Sequence, residues 1–88
     1  MKPQTLTDTL AHAVADLVAQ ATDGTIDTAA AHRGDQTFAE AGMTSLSFLR
    51  LVDALEIAYG IEIDLETDLE SMRTVPLIVA YLRAQGIA

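Results

Sequence analysis

The sequence predicts an all-α fold: a small antiparallel four-helix bundle of three main helices and one short helix, with a long first loop. Three observations lead there. Apolar residues recur at three- and four-residue spacing in three separate segments. Residues that cap helices bound each segment. Half of the 88 residues are hydrophobic but only 5% are aromatic, so the core must be built mainly of Leu, Val, Ile and Ala, which suits small packed helices.

The first helix is expected over residues 6–21. Thr5 and Asp8 form a Thr-x-x-Asp capping box, and Leu6, Leu10, Ala13, Val14, Leu17, Val18 and Ala21 make one broad apolar stripe. Asp23-Gly24 ends it. Residues 22–44 show no clear periodicity, and a structureless stretch of that length is unusual in a compact domain. The segment should be pinned, functional or partly helical. Ile26 and Phe38 are the expected pins, Thr37-x-x-Glu40 can cap one short turn, and Gly34 and Gly42 give local freedom.

The second helix is expected over 45–59. Leu51, Leu55 and Tyr59 form its core face, Phe48 and Val52 broaden that face, and Gly60 closes the helix. An acidic stretch from Glu62 to Glu70 follows, with Thr67-x-x-Glu70 as the cap of a short helix near 67–72. The last helix is expected over 75–85. Thr74 caps it, Pro76 falls in the first turn where a missing N–H does no harm, and Val75, Ile78, Val79 and Leu82 face the core. Gly86 ends it.

Size bounds the chain to one domain, residues 1–88. It has no cysteine, which excludes disulfides and thiolate metal sites. No apolar run can span a bilayer and no signal peptide is visible, so the expectation is a soluble, cytoplasmic monomer without a membrane partner. Five basic and thirteen acidic residues give a net charge of −8. Such a surface repels nucleic acid and anionic membranes, and it either attracts basic patches on partner proteins or only keeps the domain soluble.

Ser45 stands out. It follows Gly42-Met43-Thr44 at the mouth of the second helix, where backbone N–H groups are unpaired and the helix dipole favours a phosphate. From position alone, Ser45 reads as an ordinary first-turn serine. His12 and His32 are far apart in sequence with no third ligand type near them, so no metal site is expected, and neither has a nucleophile partner. Asp64 and Asp68 lack the glycine and loop length of a calcium hand.

Gly42-Met43-Thr44-Ser45-Leu46, then Leu49, Leu51-Val52, Ala54-Leu55-Glu56, Tyr59-Gly60-Ile61 and Ile63, resembles the acyl and peptidyl carrier protein family over nearly the whole chain. Phe38 matches the apolar anchor before the motif, and Thr74-Val75 the start of the last helix. The resemblance implies that Ser45 is esterified by 4′-phosphopantetheine from coenzyme A. The arm's thiol would then carry an acyl or aminoacyl group as a thioester. It implies a carrier and not an enzyme, with Ser45 as attachment point and no catalytic residue.

The partners implied are a phosphopantetheinyl transferase, a loading enzyme of adenylation or acyltransferase type, and downstream synthase or tailoring enzymes. The docking face would be the second helix and preceding loop: Met43, Thr44, Leu46, Leu49, Arg50, Asp53 and Glu56. Met43 serves either a partner surface or loop packing, and Leu46 and Leu49 are either exposed contacts or core. The acidic residues from Asp53 to Glu70 are either a docking strip or a solvated face.

Several positions depart from the pattern of fatty acid carriers. Thr44 replaces their usual Asp, Arg50 stands at an often acidic site, and Asp53 stands at an apolar one. Met43 replaces a glycine frequent in peptidyl carriers. These changes point to a discrete carrier of a specialised polyketide or nonribosomal peptide pathway. The alternatives are a fatty acid synthesis carrier and an unmodified acidic helical interaction module.

Overall fold

The computed structural model describes residues 4–88, with side chains from residue 9 onward. The described residues are all helical or loop. Helix α1 spans Gln4–Ala21, α2 Thr28–Arg33, α3 Ser45–Tyr59 and α4 Leu65–Asp68; a 3-10 turn covers Leu69–Met72, and α5 spans Val75–Ala84. The helical bundle expected from the sequence is borne out. Helix α1 packs on α2, α3 and α5, while α5 also meets α2 and the 3-10 turn.

The core follows the sequence periodicity closely. Leu10, Val14 and Val18 of α1, Leu51 and Leu55 of α3, and Val75, Ile78 and Leu82 of α5 are buried together with Met72. The α1 stripe is shifted slightly: Ala15 is fully buried and Ala13 is exposed. The Thr5–Asp8 capping box and Leu6 lie outside the residues whose side chains are described.

The first loop is pinned as anticipated, with Ile26 and Phe38 both buried. Thr22 is buried as well. Its hydroxyl donates to the Val18 carbonyl (2.9 Å) and accepts the Ile26 N–H (3.2 Å), closing α1 and steering Ile26 inward. Further on, the Thr37–Glu40 turn is a reciprocal capping box: Thr37 N–H donates to Glu40 Oε1 (2.8 Å) and Glu40 N–H to Thr37 Oγ1 (3.1 Å).

The structure makes one local expectation specific and corrects another. The loop contains α2, whose N-cap Asp27 accepts the Ala30 N–H and whose C-cap is Gly34. Of its residues only Ala31 is buried, so six residues show no apolar period long enough to read. The short helix begins at Leu65 and is capped by Asp64, which accepts the Glu66 N–H; Thr67 lies inside it. The aspartate precedes the first helical residue and so reaches the orphan donors first.

Gly34 holds a left-handed φ of 67°, and a Cβ there would sit 2.6 Å from Pro76 Cδ at the start of α5. Gly34→Ala therefore loses roughly 1–3 kcal/mol of stability, measurable by chemical denaturation. Tyr81 is pushed above its ordinary pKa of 10.0 by burial first, and then by its hydrogen bond to Asp68 and nearby carboxylates. The folded state holds that proton more tightly than the unfolded chain. Its contribution is complete below pH 10.0 and is lost as pH rises through the folded-state value. Alkaline denaturation of Tyr81→Phe is expected to show a shallower loss of stability above that pH than the parent chain.

Candidate functional site

Helix α3 begins at Ser45 because Thr44 caps it. Thr44 is extended (φ −85°, ψ 168°), and its Oγ1 accepts the Ser47 N–H at 3.1 Å. The same hydroxyl donates to Ser47 Oγ at 3.1 Å, so both hydroxyls that flank Ser45 are engaged within the protein. The Ser45 side chain is exposed and makes no hydrogen bond among the described residues. Ser45 and Leu46 are the first two helical positions, so their N–H groups have no intrahelical acceptor. The site thus combines a free hydroxyl with the positive end of a 15-residue helix.

The approach to Ser45 is built by a tight turn. Met43 N–H donates to the Phe38 carbonyl (2.9 Å) and Gly42 N–H to that of Ala39 (3.1 Å). Gly42 takes φ 100°, a conformation that side-chain-bearing residues avoid. Phe38 N–H donates to the Arg73 carbonyl at 2.9 Å, which ties this turn to the junction between the 3-10 turn and α5.

Ser45 and Thr44 stand in the lining of an open cleft of about 530 Å³. Its walls are apolar: Phe38, Met43, Phe48, Leu49, Leu69 and Met72. Arg73 is the charged residue among the described lining residues. Its guanidinium is half exposed and 3.0 Å from Glu70. Of the wall residues, only Met43 and Leu49 had been singled out as functional. Phe48 was legible as part of the apolar stripe, and Arg73 as the break in the acidic run. Neither signal says that the two share a cavity with Ser45.

The expected recognition residues lie on or beside the outer side of α3. Leu46 and Leu49 are 60% and 54% exposed, which resolves them as surface rather than core. Met43 is half-buried, packing against the core and lining the cleft. Arg50 reaches Asp23 across 3.6 Å, an exposed pair of little energetic weight. Asp53 is exposed, whereas Glu56 is half-buried and accepts the Ile63 N–H at 2.8 Å, so its carboxylate is held by the fold. Ile57, at 75% exposure, is an apolar surface residue that the sequence reading passed over.

The acidic stretch is partly structural too. Asp64 caps α4, and Asp68 accepts the Asp64 N–H and the Tyr81 hydroxyl. His12 and His32, distant in sequence, have ring centroids 6.4 Å apart, with His12 3.6 Å from Asp16. Among the described residues no group of three His, Cys, Asp or Glu is arranged to hold a metal ion, and no helix is long and apolar enough to cross a membrane.

The family model described as Phosphopantetheine attachment site matches residues 9–82. The chain belongs to that family. Its members carry covalently attached 4′-phosphopantetheine and interact with a phosphopantetheinyl transferase and partner enzymes, and the chain is a carrier protein of this type. Comparison with curated proteins and with solved structures found no match.

Thr44→Ala is expected to cost about 1 kcal/mol in chemical denaturation, because the Ser47 N–H loses its acceptor, while Thr44→Asp retains most of that stability.

Proposed function

We propose that Ser45 bears the phosphopantetheine arm and that residues 1–88 act as a single carrier domain. Its role is to hold acyl or aminoacyl intermediates as thioesters in a specialised polyketide or nonribosomal peptide pathway. The observation that carries this reading is the free, exposed Ser45 hydroxyl at the start of α3, between two hydroxyls already engaged with each other. The family match to an attachment site makes a serine in that setting the natural acceptor.

The residues present suit the arm. The unpaired N–H groups of α3 favour the phosphodiester that Ser45 would gain. The apolar cleft has room for the pantetheine chain and a small cargo. When attached, the arm supplies a thiol, which this cysteine-free chain lacks, and a reach long enough to serve several active sites by tethering. The domain itself is read as non-catalytic: the polar side chains among the cleft's described lining residues are an arginine and hydroxyls, with no paired acid and base.

Docking is assigned to α3 and the turn before it. Leu46, Arg50, Asp53 and Ile57 follow one another at helical spacing along one side, about 16 Å from end to end. Leu49 flanks this strip, with Met43 and Thr44 at the Ser45 end and Glu56 at its margin. Partners read there are the transferase, a loading enzyme of adenylation or acyltransferase type, and downstream synthase or tailoring enzymes. Thr44, Arg50 and Asp53 support a partner set distinct from fatty acid synthesis. The acidic charge favours basic protein surfaces over nucleic acid, and the protein is read as a cytoplasmic monomer.

The test is intact mass and peptide mapping after reaction with coenzyme A and a broad-specificity phosphopantetheinyl transferase. One arm is expected on the Ser45 peptide, absent in Ser45→Ala and retained in Ser47→Ala. A folded chain that stays unmodified beside a modified control carrier sinks the reading and favours an unmodified interaction module. Leu46→Ala should slow arm transfer about five- to tenfold, roughly 1–1.4 kcal/mol, without changing the denaturation midpoint.

A further inference from the structure

The cleft beside Ser45 has a charge bias as well as an apolar wall. Arg73 is held in place by its backbone, whose carbonyl accepts the Phe38 N–H at 2.9 Å. Its guanidinium is paired with Glu70 at 3.0 Å, but Glu70 is 78% exposed and stands outside the cleft lining. The positive end of α3 lies at the same space, with Ser45, its first residue, in the lining. Arg73, partly offset by Glu70, and the positive end of α3 thus give the cleft its charge bias, and no carboxylate is among its described lining residues.

Cargo chemistries differ sharply in such a place. An acyl chain entering the cleft buries apolar surface against Phe48, Leu69 and Met72. If its far end carries a carboxylate or keto oxygen, the guanidinium can donate to it. An aminoacyl group brings an ammonium that must shed water beside Arg73 and the positive end of α3, with no carboxylate among the described lining residues to receive it. We propose that Arg73 is a specificity-determining residue for cargo: it favours acyl groups with a distal oxygen function and keeps aminoacyl groups out of the cleft. This rests on the reading that Ser45 bears the arm.

The experiment compares three six-carbon cargoes that differ in charge: hexanoyl, adipoyl and leucyl. Each is loaded by a broad-specificity transferase as a stable amide-linked pantetheine analogue, and intact mass and peptide mapping establish loading at Ser45. Amide NMR shifts of Phe38, Phe48 and Met72, relative to the arm without cargo, report cleft occupancy. Adipoyl is expected to occupy the cleft about two- to fivefold more than hexanoyl, the range a half-exposed charge pair supplies. Leucyl is expected to leave the cleft signals unmoved.

Arg73→Gln removes the adipoyl advantage and retains hexanoyl occupancy, whereas Glu70→Gln, which frees the guanidinium, enlarges that advantage. Leucyl shifts as large as those of adipoyl, or an adipoyl preference that survives Arg73→Gln, overturn the cargo inference alone. A folded chain that takes no arm at Ser45 overturns the attachment reading and this inference with it.

Discussion

The hydrogen bond from Phe38 N–H to the Arg73 carbonyl is the constraint on which the site depends. It joins the long first loop to the start of the last helix, and Phe38 is buried in the core. Both ends of the bond then have consequences. On one side, the turn that runs through Gly42 and Met43 to the Thr44 cap has a fixed origin, so Ser45 starts α3 at a set point. On the other, Arg73 and the 3-10 turn form the facing wall of the cleft. Without that tie, the loop would be free to move away from the wall and the cavity would have no floor. A buried aromatic with its own N–H satisfied meets both the packing and the hydrogen-bond demands of a loop this long.

The same economy governs the acidic residues. A net charge of −8 on a small domain looks from the sequence like one continuous surface property. In the fold, several carboxylates are committed locally. Asp27 and Asp64 cap helices, Glu56 holds the Ile61–Ile63 segment to α3, Asp68 joins α4 to Tyr81 of α5, and Asp16 accepts the Thr28 hydroxyl from α2. Asp27, Glu56 and Asp64 replace the backbone acceptors that short helices and bends leave missing, and Asp16 and Asp68 join elements through side-chain hydroxyls. Asp53 remains on the open side of α3, close to exposed Leu46, Leu49 and Ile57. The open side of α3 is thus more apolar and less acidic than the composition suggests.

Legibility varied with the length of the signal. The three long helices were readable because each repeats its apolar positions over about two turns or more, and their end signals at Thr74 and Gly60 fall where expected. Helix α2 was anticipated only as a partly helical loop and its place was not read, although Asp27 and Gly34, its two caps, are plain in the sequence, because a helix of six residues has no period to lie between them. The displaced start of α4 has a similar cause: Asp64 and Thr67 are both good caps, and geometry decides which reaches the free N–H groups. At the site, Ser45 was marked by its place before a periodic helix. Phe48 and Arg73, 25 residues apart in the chain, were not marked as neighbours of each other or of Ser45.

Periodicity, caps and the Gly-x-x-Ser-Leu pattern were enough for the sequence by itself to determine the helical class, the core faces of α3 and α5, and the serine on which the functional reading rests. These are local properties, set by spacing along one helix and by the hydrogen-bond needs of its ends. Tertiary structure alone decided which side chains share a cavity with that serine, that Leu49 faces solvent, and that Glu56 is tied to the fold while Asp53 is left exposed. Those outcomes depend on how the loop and the 3-10 turn pack against α3. Contacts between segments distant in the chain have no signature in the spacing of residues within either one.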